Sequence, residues 1–507
     1  MKSAIRFSAL VLCLVLVSSF CIPAMATQTQ TEGQAKDISG VGLVTDMVGF
    51  HSAYKLFDHK LIESYYVGRN ASLTLEHTEG MGSLYFIFDL EYGAYTVTNN
   101  DSGEVRTYGE TGLLHEFIDL VAAFGSAPKS VTVTFGDNEL YVNELYVFTE
   151  GQVPDFVQQW DLPRENETDL ILFSTHGDDE QLFFAGVLPY YARELDYEVL
   201  VVYLTNHRNL TRERAHEMLN GLWAVGVTTY PIFGHFPDFH IKSITGAYSI
   251  FSNMGYSEED LTAYVVENIR RFKPKVAIGH DPLGEYSHGQ HMVYSDVLQK
   301  AVQNTMNGDY YPESAEKYGV WDVPKTYLHL YTENQIYMDW DQPLESFDGM
   351  TAFEVTKNLG FPCHASQFVD FAWYMSYVES AAKVPHYSPC EYGLFRTTVG
   401  EDVQKNDFFE NVLTYEQEAQ KAIEEEAARA EAERLAQEEA ERQAREEEAA
   451  RQAQEAAEAA EAERKAQLEE QSAKLQKQKV MLLVCAAAAF AAAAGIVVLI
   501  VLLVKKR

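Results

Sequence analysis

From about Asp37 to Gln159, apolar and polar residues alternate in short runs: Ser72–Leu75, Leu84–Phe88, Tyr95–Thr98, Ser130–Phe135 and Glu144–Phe148. A period of two with Gly and Asn-Asp punctuation predicts antiparallel strands, and so an all-β sandwich over residues 37–160. Tyr65, Tyr66 and Tyr92 there either stack on a sugar or pack as sandwich aromatics. After Asp169 the rhythm changes. Apolar runs at Asp169–Ser174, Val199–Leu204 and Lys275–Gly279 alternate with helical spacing over Arg212–Val225 and Glu258–Phe272. That order predicts an α/β domain over residues 165–413, Rossmann-like, with a largely parallel sheet and covering helices.

Residues 414–479 are almost wholly Glu, Ala, Gln, Arg and Lys, with no internal Gly or Pro. Strong helix formers, and Glu before Arg at four-residue spacing (Glu425 with Arg429, Glu438 with Arg442, Glu447 with Arg451), predict a helical stalk about 95 Å long. Ile423, Leu435, Leu468 and Leu475 are sparse, which leaves a lone charged helix and a weak self-associating coiled coil both open. Val480–Val504 is apolar throughout and long enough for a transmembrane helix, with residues 505–507 as a basic cytoplasmic tail. At the other end Lys2 and Arg6 precede the apolar stretch Ala9–Phe20 and the small-residue site Ala24-Met25-Ala26, the pattern of a signal peptide over residues 1–26. Phe20 before Cys21 makes a poor lipobox, so a lipid anchor is the lesser alternative. Together these flanks predict a single-pass protein of a bacterial cell membrane, with an extracellular ectodomain and a cytoplasmic C-terminus.

The net charge of -36 argues against nucleic acid as a partner. Between the predicted signal and anchor only Cys363 and Cys390 remain, enough for one disulfide and not for a disulfide scaffold.

The candidate chemistry begins where the Asp169–Ser174 strand stops, at Thr175-His176-Gly177-Asp178-Asp179-Glu180. In open α/β sheets, ligands bind beyond the carboxyl ends of strands. A catalytic zinc takes three protein ligands and keeps one position open, and His176 and Asp179 offer two from one turn. A third can come from Gly279-His280-Asp281-Pro282-Leu283-Gly284-Glu285-Tyr286-Ser287-His288-Gly289-Gln290-His291. His280, which ends a strand, rivals the later histidines for that place. Taken alone, the three acids read equally well as a helix N-cap, and His207, His216, His235, His240, His280 and His329 as packing or surface histidines.

Read together and in order, these blocks resemble the PIG-L/LmbE-like N-acetylglucosamine deacetylase family over roughly Asp169 to Gln367. The family's His-Pro-Asp-Asp-Glu block matches His176–Glu180 with Gly177 for proline, and its Arg-x-x-Glu helix matches Arg214–Glu217 before Gly226-Val227. Phe236-Pro237-Asp238, Lys273-Pro274, His288–His291 and His364-Ala365-Ser366-Gln367 follow in the family's order. The resemblance implies that His176, Asp179 and His291 bind Zn2+ or another divalent metal, and that Asp178 is the general base. His288, if protonated, and Tyr286 would stabilise the oxyanion or serve the leaving amine, while Arg214, Glu217, Asp238 and His364 would shape the substrate pocket. Gln290 stands where the family has aspartate, so the carboxylate that would raise the basicity of a nearby imidazole such as His288 is missing. Gly177 is expected only to loosen its turn.

The strand-rich segment likewise resembles the galactose-binding-like modules attached to secreted glycan-active enzymes. The expected function is a zinc-dependent hydrolase that removes the N-acetyl group from an N-acetylhexosamine in an extracellular glycan. The alternatives are hydrolysis of another amide, and a glycan-binding adhesin whose metal domain is structural.

Overall fold

The computed structural model describes residues 33–506, apart from 51–52, 62, 91, 138, 208–211, 369–374 and 376. The expected signal peptide lies outside the described residues. Two compact units divide at Gln417 and Glu418.

The first unit opens with eight antiparallel strands: β1 (Val44–Phe50), β2 (Tyr65–Glu76), β3 (Ser83–Phe88), β4 (Tyr95–Asn99), β5 (Glu104–Tyr108), β6 (His115–Asp119), β7 (Ser130–Phe135) and β8 (Leu140–Phe148). They form one connected sheet in the order β5-β4-β7-β2-β8-β3-β6, with β1 on β2. Strand β2 makes the sheet curl. Its first residues pair with β8 and its last with β7, and between them the alternation of buried and exposed residues breaks at Arg69 and Asn70. Asn70 sits in the left-handed region (φ 53), a conformation asparagine tolerates better than most residues. The curl brings Leu73, Val97, Val131 and Val133 into one core with Leu84, Phe86, Leu145 and Val147. Tyr65 and Tyr92 are buried in that core, and Tyr92 donates to the Leu113 carbonyl and the Glu116 carboxylate, so neither presents a stacking face.

The second sheet is mixed: four strands run parallel, where a largely parallel, Rossmann-like sheet was expected, and two more are antiparallel. Strands β9 (Leu170–Ser174), β10 (Val199–Tyr203), β11 (Val276–Gly279) and β12 (Lys325–His329) run parallel in the order β10-β9-β11-β12. Then β14 (Glu391–Thr397) and β13 (Gln335–Tyr337) extend the sheet in antiparallel pairing. Its parallel strands are apolar on both faces because both are covered. On one face Leu170, Leu172, Val201 and Ile278 pack with Met218 and Leu222. On the other Ile171, Phe173, Val202 and Ala277 pack with Phe251, Val265 and Val297. The covering helices include α2 (Arg212–Ala224), α3 (Ile244–Asn253), α4 (Glu258–Phe272) and α5 (Gly289–Asn304), and a single turn α1 (Asp179–Leu182) follows β9. Helix α4 starts at a Ser257/Asp260 capping box and stops at Lys273, left-handed (φ 50) just before Pro274.

No disulfide is present among the described residues: the Cys363 thiol donates to the Leu359 carbonyl, and Cys390 is buried. The helix α6 (Tyr415–Val504) is continuous over 90 residues, and its last part is long and apolar enough to cross a membrane. Glu425 reaches Arg429 at 3.8 Å as spaced, whereas Arg442 pairs with Glu439 and Glu446, and Arg451 with Glu455.

Glu144, fully buried in β8, accepts from the Lys60 N–H, and burial first, with Asp58 beside it, pushes its pKa up to about 8. The folded chain therefore holds a proton there that the unfolded chain loses near pH 4.5. Stability should be full below that pH and fall as pH rises toward 8. Thermal midpoints measured across this window should show the decline in the wild-type chain and a flatter profile in Glu144→Gln.

Candidate functional site

In-register parallel pairing delivers the site residues to one level. Gly279 of β11 pairs with Leu328 of β12, so His280 and His329 follow side by side, and β9 runs beside β11 to end just before Thr175 and His176. The chain then returns through α5, whose first turn carries His291.

Three donor atoms converge there. His176 Nδ1 lies 3.1 Å from Asp179 Oδ2 and 3.1 Å from His291 Nε2, and the last two are 3.2 Å apart. The far ring nitrogens are already committed. His176 Nε2 faces the Gln290 amide oxygen at 3.2 Å and Asp238 Oδ1 at 3.4 Å, and His291 Nδ1 donates to Glu285 Oε2 at 2.7 Å. Both rings in their neutral form therefore turn a bare nitrogen toward the Asp179 oxygen, which also accepts the His176 backbone N–H at 2.8 Å. Three lone pairs this close need positive charge between them. Ligands of a tetrahedral zinc, at about 2.0–2.1 Å from the ion, stand about 3.3–3.4 Å from one another, so the triangle fits a small divalent cation. Protons compete for the same lone pairs. Burial opposes them, but Asp179 and Asp238 outweigh it at His176, and Asp179 with Glu285 lifts His291 to about 9.

Among the described residues, two further sets are close enough to hold an ion: His176, His288 and His291, and Asp179, His280 and His291. His280 is the weaker donor. Its Nε2 accepts the Thr175 N–H at 3.0 Å and its Nδ1 donates to Glu285 at 2.9 Å, so neither nitrogen is spare.

Asp178 is buried beside the triangle, with Oδ1 3.4 Å from Arg214 Nη2. Burial raises its pKa to about 6, against the pull of the Arg214 guanidinium and with a push from Asp179. His288 is the N-cap of α5, and its Nδ1 accepts the Gln290 N–H at 3.2 Å. Burial first, and then His176 and His291 when they are charged, hold His288 down to about 2. As a neutral ring it carries its proton on Nε2, whereas the resemblance gave it a role only if protonated; the positive end of α5 also disfavours the charged form. Tyr286, with its ring centroid 5.3 Å from that of His288, occupies a left-handed backbone position (φ 43), as does Ser287 (φ 62).

Of the remaining pocket candidates, Asp238 faces His176. Glu217 instead accepts the Ser366 N–H and hydroxyl at 2.7 and 2.6 Å, tying the His364-Ala365-Ser366-Gln367 segment to α2. His364 is buried 3.1 Å from Glu180; burial works against its charge, but Glu180 and Asp178 raise its pKa. Glu285 had no expected role and Gln290 only an expected effect on His288, yet they hold the two converging histidines. The one available signal was an acid placed between a strand-end histidine and the His288–His291 pair. A cleft of about 890 Å³, lined by Phe117, Asp119, Arg193, Trp223 and Phe347 among others, shares no residue with this cluster and lies between β6 with the chain after β8 and the end of α2.

With fold and site in view, residues 171–302 match the family described as PIG-L, GlcNAc-PI de-N-acetylase, and this segment is a PIG-L domain. Among named relatives, the 1D-myo-inositol 2-acetamido-2-deoxy-alpha-D-glucopyranoside deacetylase of Rhodococcus jostii is 28% identical over 183 residues, 32% of this chain and 61% of that protein. Deacetylase 1 of the same description from Frankia alni is 26% identical over 173 residues, 30% of this chain and 59% of the relative. The chain thus spans about three fifths of the length of these curated relatives. A solved N,N'-diacetylchitobiose deacetylase from Pyrococcus horikoshii is 15% identical, covering 45% of this chain and 83% of its own, with a TM-score of 0.31.

Gly177 does more than loosen a turn. A Cβ there would stand 2.3 Å from Cγ and Sδ of Met218, which is buried in α2. Gly177→Ala should cost about 1–3 kcal/mol by overpacking. In a Met218→Ala background the same change should cost clearly less, and a denaturant double-mutant cycle measures the difference; strict additivity would disprove the contact.

Proposed function

We propose that this chain is a surface-anchored, metal-dependent deacetylase that hydrolyses the N-acetyl group of an amino sugar in an extracellular glycan. The observation that carries the reading is the triangle of His176 Nδ1, Asp179 Oδ2 and His291 Nε2, 3.1–3.2 Å on each side, with the Asp178 carboxyl beside it. The relatives, deacetylases of an acetamido sugar by name, support the bond.

Imidazole and carboxylate donors without sulfur suit Zn2+ or another divalent ion. An ion held there supplies Lewis acidity and lowers the pKa of water. Asp178, held by Arg214 and with its pKa near 6, accepts the proton of water as it adds to the acetyl carbonyl. His288, neutral with N–H at Nε2, and the Tyr286 hydroxyl offer hydrogen bonds to the carbonyl oxygen as negative charge grows on it. The proton gathered on Asp178 passes to the departing amine nitrogen, so the C–N bond breaks, acetate and a free amine leave, and the carboxylate is restored. Hydrolysis of another amide uses the same groups. The adhesin reading is weakened by Tyr65 and Tyr92, which are packed inside the sandwich.

Asp178→Asn should lower turnover by about 10²–10⁴ with bound metal unchanged. Acetate release from a panel of N-acetylhexosamine glycans, together with elemental analysis of the purified chain, tests this; cleavage of another amide with no acetate from any glycan defeats the deacetylase reading. For location, the full chain should sediment with membranes, and protease added to intact cells should release an active fragment. Recovery of an intact chain after that treatment argues against an extracellular ectodomain.

A further inference from the structure

Glu285 is fully buried, and it takes four hydrogen bonds from protein donors. Its Oε2 accepts from His280 Nδ1 at 2.9 Å and His291 Nδ1 at 2.7 Å; its Oε1 accepts from His329 Nδ1 at 2.6 Å and the Asp281 N–H at 3.2 Å. These donors come from the ends of β11 and β12 and from α5. The neighbours of Glu285 in the chain share its tight turn: Gly284, Tyr286 and Ser287 all have positive φ (68, 43 and 62), a conformation that glycine adopts freely and that strains the other two.

The proton count follows from the partners. His280 is neutral, because its Nε2 accepts the Thr175 N–H. His291 donates through Nδ1 and leaves Nε2 for the site. His329 differs, since its Nε2 lies 2.9 Å from the Ser388 carbonyl oxygen, which can only accept, while its Nδ1 faces Glu285. A ring with an acceptor at each nitrogen carries a proton on each. Around it lie the aromatic rings of Phe183, Phe184 and Tyr392, and the Asp281 carboxylate also feels its charge.

We propose that Glu285 is the positioning residue of this site: it locks His291 with Nε2 bare toward His176 and Asp179, and its own buried charge is balanced by His329 held as an imidazolium. Metal-ligating histidines characteristically donate their second N–H to such an acceptor, and loss of it costs about 10–100-fold in metal affinity. Glu285→Gln offers one acceptor oxygen where the carboxylate serves four donors, so two or more of them lose their bonds.

The inference rests on the metal reading above, and its test separates the two. Zn2+ affinity of the full chain, measured by chelator competition, should fall 10–100-fold in Glu285→Gln, and equal affinity overturns the positioning role. Nitrogen-15 spectra of the histidine-labelled wild-type chain without metal should show both His329 ring nitrogens protonated and His291 protonated at Nδ1; a bare nitrogen on His329 overturns the pairing even if Glu285→Gln fails to fold. Failure of the wild-type chain to bind Zn2+ removes the metal reading and leaves the His329 signal to decide the pairing.

Discussion

Asp179 Oδ2 is the atom on which the site depends. It receives the His176 backbone N–H at 2.8 Å and stands within 3.1–3.6 Å of ring nitrogens of His176, His291 and His280, all in the buried interior. A carboxylate taken out of water is costly unless it is paired and hydrogen-bonded. The fold meets that cost with geometry. Parallel strands in register end together, so histidines from two strand ends and one helix start arrive at the same carboxylate, and the apolar layers above and below the sheet keep their separations fixed. A one-residue slip of β11 against β9 would turn its side chains to the other face and disperse the cluster.

Much of this could be read along the chain, because the signals are local. The strand ending at Ser174, the spacing of His176, Asp178 and Asp179, and the pair His288 and His291 lie in short blocks, and the structure brings these residues together. What stayed hidden depends on distant partners. His329 reads as an ordinary packing histidine until β12 sets it beside His280, and Gly177 reads as a looser proline until Met218 arrives from α2. The tautomer of His288 could not be read either, since it turns on an N-cap bond made two residues later. The mixed character of the second sheet comes from β14, whose pairing with β12 joins residues about seventy apart.

The sandwich reaches the site through α2. Asn143 Nδ2 lies 3.5 Å from His216 Nε2, His216 Nδ1 lies 2.9 Å from His115 Nε2, and His115 Nδ1 lies 2.8 Å from the Tyr85 hydroxyl. Burial holds both imidazoles below their ordinary pKa, His216 at about 4. Neutral rings satisfy this chain only if each proton points the same way, from Asn143 toward Tyr85. His216 stands between Arg214, which holds Asp178, and Glu217, which holds Ser366. The sandwich is therefore packed against the helix that orients the acid of the site, through Leu114, Ala215, Leu219 and Tyr230, and not appended at its edge.

Gln290 shows what a neutral residue gains where the family has an acid. Its amide oxygen accepts from His176 Nε2 and the Phe239 N–H, and its amide nitrogen donates to the Pro237 carbonyl at 2.8 Å. An aspartate is shorter and, ionised, has no donor for that carbonyl. It would also set a third negative charge close to His176, beside Asp179 and Asp238. The amide instead fixes the His176 tautomer and clamps the loop that carries Asp238 with one uncharged side chain. The orientation of His176 thus falls to Gln290 and that of His291 to Glu285, so the two imidazoles are aimed independently at the same oxygen.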